Sequence, residues 1–135
     1  KKIADTQHID LWYLFPAGLS VDRQISKKGE VVPTSEASLT RITGTEEWRE
    51  AFLRTDVQPS LFGEVSLTVK DCDPGKVTAW MIERMGQLFK GGVLNEWMPL
   101  GRNQGHWYSL IFAGGNPSAK ASGLALKLAK AVMKA

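Results

Sequence analysis

The chain has 135 residues, 43% hydrophobic and 23% charged, enough for one domain with a single buried core. A formal net charge of +3 permits contact with nucleic acid without requiring it. No run of 18 or more apolar residues is long enough to span a membrane, and no basic, apolar signal segment opens the chain. One cysteine, Cys72, and two histidines exclude an intramolecular disulfide and a Cys/His metal cage, and a reducing compartment, the cytoplasm, is expected.

The chain opens at Lys1-Lys2 within what reads as a helix end, a first hint of truncation. Ile9 to Phe15 (IDLWYLF) is nearly continuous in apolar residues and stops at Pro16-Ala17-Gly18. Its length and composition predict a strand buried on both faces, the kind found in parallel sheets. Ser20 is placed to cap a short helix over Val21 to Ser26, stopped by Gly29. A second short helix is expected over Ser35 to Ile42, with Gly44 as its stop. Thr45 then caps Glu46 to Leu53, whose two leading glutamates favour the first turn. Residues 55 to 63 read as loop.

Val65, Leu67 and Val69 alternate with polar residues, which predicts a short strand over Glu64 to Lys70. Asp73-Pro74 supplies a capping carboxylate and then proline at the first helical position. The helix it opens runs to about Lys90, with Val77, Trp80, Met81, Met85, Leu88 and Phe89 along one face and Gly91-Gly92 beyond its end. Val93 to Leu100 and His106 to Ala113 read as an antiparallel hairpin joined by GRNQG, with Pro99 marking an edge. Asn116-Pro117 opens a last helix to about Lys134. Leu124, Ala125, Leu128 and Val132 are expected to face the core.

The segments IDLWYLFPAGLSVDR, LTRITGTEEWREAF, RMGQLFKGGV and HWYSLIFAGGNPSA, in this order and spacing, resemble the last part of the three-Cys-motif partner proteins. These are bacterial and phage proteins similar in fold to class I methyltransferases. The resemblance covers almost the whole chain. It implies an α/β chain forming the C-terminal part of a Rossmann-like, methyltransferase-like fold: one buried strand plus an antiparallel hairpin with helices. It implies, too, that residues 1–135 are a single domain fragment lacking the N-terminal, cofactor-binding half. Family members carry a glycine-containing strand turn and an acidic-Pro-x-Gly strand end upstream, and neither motif occurs here. S-adenosylmethionine is therefore expected only for a full-length protein, and the cysteines of the family name belong to a partner protein rather than to Cys72.

Ligands of open α/β sheets bind at the C-terminal ends of strands. Phe15, Pro16 and Gly18 are thus candidates for a pocket edge, or form a plain turn. Arg23 and Asp22, just beyond, suit a polar ligand, an ion pair or solvent. Asp10 leads into the apolar run. His106 opens the last strand without a sequence-evident partner to orient it as a base, and His8 has still less to recommend it. Cys72, in DCDPG, stands between carboxylates that disfavour a thiolate. Lys120, Lys127, Lys130 and Lys134 recur at steps of 7, 3 and 4 on one face of the last helix, a stripe able to meet nucleic-acid phosphate or simply solvent. Two function classes follow: a part of a methyltransferase-like protein that is not catalytic alone, or a non-enzymatic module that docks a protein or nucleic acid. Truncation would leave the first strand with an unpaired edge, so the chain is expected to associate with itself there or by exchanging an element.

Overall fold

The computed structural model describes residues 2–134. It is a mixed α/β arrangement with two small antiparallel sheets. After a short helix α1 (Lys2–Asp5) comes strand β1 (Leu11–Phe15). Helices α2 (Pro33–Thr43) and α3 (Trp48–Phe52) precede a hairpin of β2 (Leu53–Ser60) and β3 (Gly63–Lys70). Helix α4 (Pro74–Leu88), strands β4 (Met98–Leu100) and β5 (Tyr108–Ala113), and helix α5 (Ala119–Lys134) complete the chain.

The three-stranded sheet has the order β1-β5-β4, with β5 antiparallel to both neighbours and Phe15 opposite Ser109. Alternation along β1 sends Leu11, Tyr13 and Phe15 to the face that packs on the core. That core joins Phe15, Leu39, Trp48, Phe52, Val77 and Ile111, all fully buried. Trp12 and Leu14 point the other way and remain 41% and 50% exposed. The expectation of a strand buried on both faces is therefore corrected: β1 is an antiparallel edge strand, and its second face is only partly covered. Trp12 still finds the Phe112 ring, 4.9 Å away across the ladder.

Several boundaries move for identifiable reasons. Ser20 caps nothing. The chain leaves β1 through a π-helical turn (Ala17–Val21) and a 3-10 turn (Asp22–Gln24), because the backbone N–H groups of Gly18 and Leu19 are both drawn to the Trp107 carbonyl at 3.0 Å. Helix α2 starts at Pro33, earlier than expected, and ends at Gly44 in the left-handed conformation as the sequence indicated. Helix α3 is shorter than Glu46 to Leu53, and Leu53 belongs to β2. Residues 55 to 63 are not loop: most of them form β2 and its turn, paired from Leu53↔Lys70 to Ser60↔Gly63. Strand β3 matches the strand expected over Glu64 to Lys70 from its alternation, whereas β2 is exposed over most of its length and carries no apolar alternation, the signal by which a strand is recognised.

Asp73 caps α4 as expected, its Oδ1 accepting from the Lys76 N–H at 2.8 Å. Val77, Met81, Met85 and Phe89 are buried and Trp80 is half-buried against Phe52, but Leu88 is 37% exposed and does not belong to the stripe. Thr78 and Ile82 take the buried positions instead. The first hairpin strand shrinks to β4, since residues between the Val93↔Ala113 bridge and the Met98↔Leu110 pair bulge out of register. Pro99 lies in the exposed outer strand, where its missing N–H does no harm. In α5 only Ala129 is buried, while Leu124, Leu128 and Val132 are about 58–59% exposed, which corrects their expected core role. The helix carries a wide apolar arc and docks through the side that bears Ser122, Leu126, Ala129 and Met133, leaving Leu124, Leu128 and Val132 exposed.

Candidate functional site

The turn after β1 brings Phe15, Gly18 and His106 together, but as packing. Phe15, Ala17, Gly18 and Val21 are buried, and a Cβ on Gly18 would overlap the His106 carbonyl oxygen. Glycine is required there for the turn to lie against the β5 approach. Pro16 is half-buried beside it and Arg23 stands exposed. Asp22 does pair, its carboxylate 2.7 Å from Lys70 Nζ, which also donates to the Asp22 carbonyl at 2.8 Å.

His106 has a partner that the sequence did not advertise. Its Nε2 lies 2.6 Å from Ser109 Oγ, which lies 2.6 Å from Thr78 Oγ1. Thr78 Oγ1 donates to the Pro74 carbonyl at 2.7 Å. A carbonyl only accepts, so the chain of hydrogen bonds has one direction. Thr78 spends its proton on Pro74 and accepts from Ser109. Ser109 spends its proton on Thr78 and accepts from the His106 Nε2–H. In this polarity the imidazole is a donor to the serine and not its base, the reverse of a nucleophilic Ser–His pair. Ser109 and Thr78 are also fully buried. The relay pins β5 to α4 and serves as a satisfied polar element of the core. Its available signals were a serine within YSLIFA at an inward position and a threonine on the buried side of α4.

Cys72 is half-buried, and its thiol is pushed up to about 11, by burial above all, with Lys70 opposing and Asp22 and Asp73 adding less. Expected inertness thus has a different main cause from neighbouring carboxylates. Asp71 turns to Lys76 Nζ at 2.9 Å, and that hydrogen bond holds its carboxyl below the usual range. Asp10 accepts from the Gly115 N–H at 3.0 Å and ties the start of β1 to the end of β5. His8 is exposed. Among the described residues no cluster of His, Cys, Asp and Glu suits a metal, and no helix is long and apolar enough to cross a membrane.

The lysines of α5 are all exposed, but two of them share an acid: Lys130 and Lys134 both reach Glu96, the latter at 4.0 Å. The Lys130 hydrogen bond holds the Glu96 carboxyl below the usual range. Lys120 and Lys127 make no ion pair among the described residues.

Two apolar surfaces stand out. One is a groove of about 460 Å³ between α5 and the second face of the sheet, lined by Trp12, Phe112, Leu124, Leu128 and Val132, with Asp10 at its border. The other is the turn of the β2–β3 ribbon, where Leu61 is 98% and Phe62 100% exposed. Isolated exposed apolar residues are ordinary, whereas clustered ones mark contact surfaces. No protein-family model, curated protein or solved structure matches the chain.

Proposed function

We propose that this chain is the C-terminal, sheet-closing part of a three-Cys-motif partner-type, methyltransferase-like protein, with no catalytic role of its own. The observation that carries the reading is β1. It is apolar on both faces, and on the side away from β5 no described strand pairs with it. Native edges are normally blunted by charge, proline or a bulge, and LWYLF has none of these. A closing hairpin must also pair one of its strands with the preceding central strand, and β5 does so along all of β1.

The absence of a cofactor role in this part is supported by the turn after β1. S-adenosylmethionine needs a glycine turn that leaves space for close approach. At Gly18 that space is filled by the His106 carbonyl. The buried Ser109 and the protonated Cys72 supply no nucleophile. Two observations test the reading. The coding sequence upstream of Lys1 should encode a glycine-containing strand turn and an acidic strand end; a start codon immediately before Lys1 would contradict it. Calorimetric titration of S-adenosylmethionine into the 135-residue chain should show no heat of binding, and micromolar affinity would overturn the non-catalytic assignment.

The second reading, an interaction module that docks a protein, is favoured by the apolar tip of the β2–β3 ribbon. The α5 lysines favour nucleic acid less, since Glu96 holds two of them and α5 presents no aromatic residue for stacking.

A further inference from the structure

The ribbon of β2 and β3 is an arm. Its base is held firmly: the Asp71 N–H donates to the Phe52 carbonyl at 2.8 Å, Lys70 is locked to Asp22, and Gly29 lies against the Thr68 backbone. From there eight residues of β2 run outwards, a reach of about 25 Å at the usual strand rise. Nothing described covers the far half, and the turn presents Leu61 and Phe62 almost wholly to solvent. A two-stranded ribbon gains little stability alone, so an exposed apolar pair at its tip calls for a contact.

The same molecule carries a receptor for such a tip. The groove beside α5 measures about 460 Å³ and is walled by Trp12, Phe112, Leu124, Leu128 and Val132. A leucine and a phenylalanine side chain occupy roughly 250 Å³ at protein packing density, so both fit. Charge agrees. Between Arg54 and Lys70 the arm's only charged residues are Asp56 and Glu64, both acidic. Helix α5, which forms one wall of the groove, carries four lysines and no acid; Glu96 engages Lys130 and Lys134, and Lys120 and Lys127 make no ion pair among the described residues. Asp10 is the one opposing charge at the groove, and its Oδ1 is already occupied by the Gly115 N–H. The arm's acidity also weighs against the phosphates of nucleic acid or of an anionic lipid as its target.

We propose that the Leu61-Phe62 tip of one copy inserts into the α5 groove of a second copy, with Glu64 and Asp56 towards the lysine flank. The contact joins two different patches, so it forms either a closed pair by mutual arm exchange or a head-to-tail chain. It needs only surfaces of the described residues, and the variants below leave the β1 edge untouched, so they distinguish it from pairing at that edge.

The test is sedimentation equilibrium of the 135-residue chain and two variants. One is the tip double variant L61S/F62S. The other is the groove variant Leu128→Asp. Both sites are exposed, and unchanged far-ultraviolet circular dichroism verifies that both variants fold. The wild-type chain is expected to gain mass with concentration, and each variant alone to lose this association by tenfold or more. An equimolar mixture of the two variants should associate again, because the intact tip of one meets the intact groove of the other. A wild-type chain that stays monomeric up to about 1 mM, the weak limit of meaningful affinity, would overturn the proposal. So would a tip variant that associates as well as wild type, or a mixture that stays as monomeric as its components.

Discussion

Replacing Thr78 by valine keeps the branching of the side chain and puts a methyl group in place of its hydroxyl. Thr78 Oγ1 is the acceptor for the Ser109 hydroxyl at 2.6 Å, and both residues are fully buried. As long as His106 keeps its Nε2–H tautomer, the variant leaves the Ser109 proton with no acceptor in a site closed to water. An orphaned buried donor costs about 1–3 kcal/mol. Ser109→Ala removes the middle of the relay instead. Thr78 keeps its bond to Pro74, and only the half-buried His106 ring loses a partner that water can replace. That change should cost no more than an ordinary hydrogen bond, about 0.5–1.5 kcal/mol. In the double variant no hydroxyl remains to be orphaned, so its cost should approach that of Ser109→Ala alone. Urea unfolding of the four proteins at neutral pH measures the cycle. With the His106 tautomer followed by its ring nitrogen chemical shifts and found unchanged, additive costs, or a Thr78→Val change milder than Ser109→Ala, would refute the direction assigned to the relay.

Gly18→Ala forces a Cβ into the His106 backbone carbonyl, which has no flexible end to move aside. It should destabilise the chain by at least about 1–3 kcal/mol, and an unchanged thermal midpoint would rule out the close turn. Met85 and Leu88 lie three residues apart on α4 and should respond differently. Met85→Ala should cost about 2–5 kcal/mol and the exposed Leu88→Ala well under 2 in the same denaturation assay. Cys72, with its thiol raised from 9.0 to about 11, should react slowly with a disulfide reagent at pH 8 and faster as pH climbs towards 11. Its linkage has the matching sign: burial stabilises the protonated form, so the contribution is whole below pH 9 and is lost as pH rises through about 11. Rapid labelling at pH 8 would show that the thiol is not buried as described.

Much of the architecture was legible because backbone chemistry is local. Asp73-Pro74 and Gly44 mark helix ends by conformations that few other residues offer, and GRNQG makes its turn with Asn103 and Gln104 at positive φ. The same locality hid the rest. Strand β2, around Val57, lies largely free of the core, so burial imposes no pattern on it, whereas Val65, Leu67 and Val69 did mark β3. Periodicity marked an apolar arc on α5 without fixing which side of it docks; Ala129 is buried while Leu128 beside it is exposed. Expecting IDLWYLF to be covered on both faces assumed neighbours that the described residues do not supply. Of the candidate site residues, Phe15, Gly18 and His106 do converge. What they build depends on Ser109 and Thr78, placed by a register between β5 and α4 that no single segment encodes.

Residue-resolved amide hydrogen exchange along β1, in dilute solution, tests the central claim most directly. Leu11–Phe15 pairs with β5 on one side, and no described strand meets the other. Alternate amides of β1 should therefore be protected by β5, while those turned to the open edge exchange at nearly unprotected rates. Uniform strong protection of all five amides would mean that the strand is paired on both sides within one chain, and the sheet would need no further part to complete it.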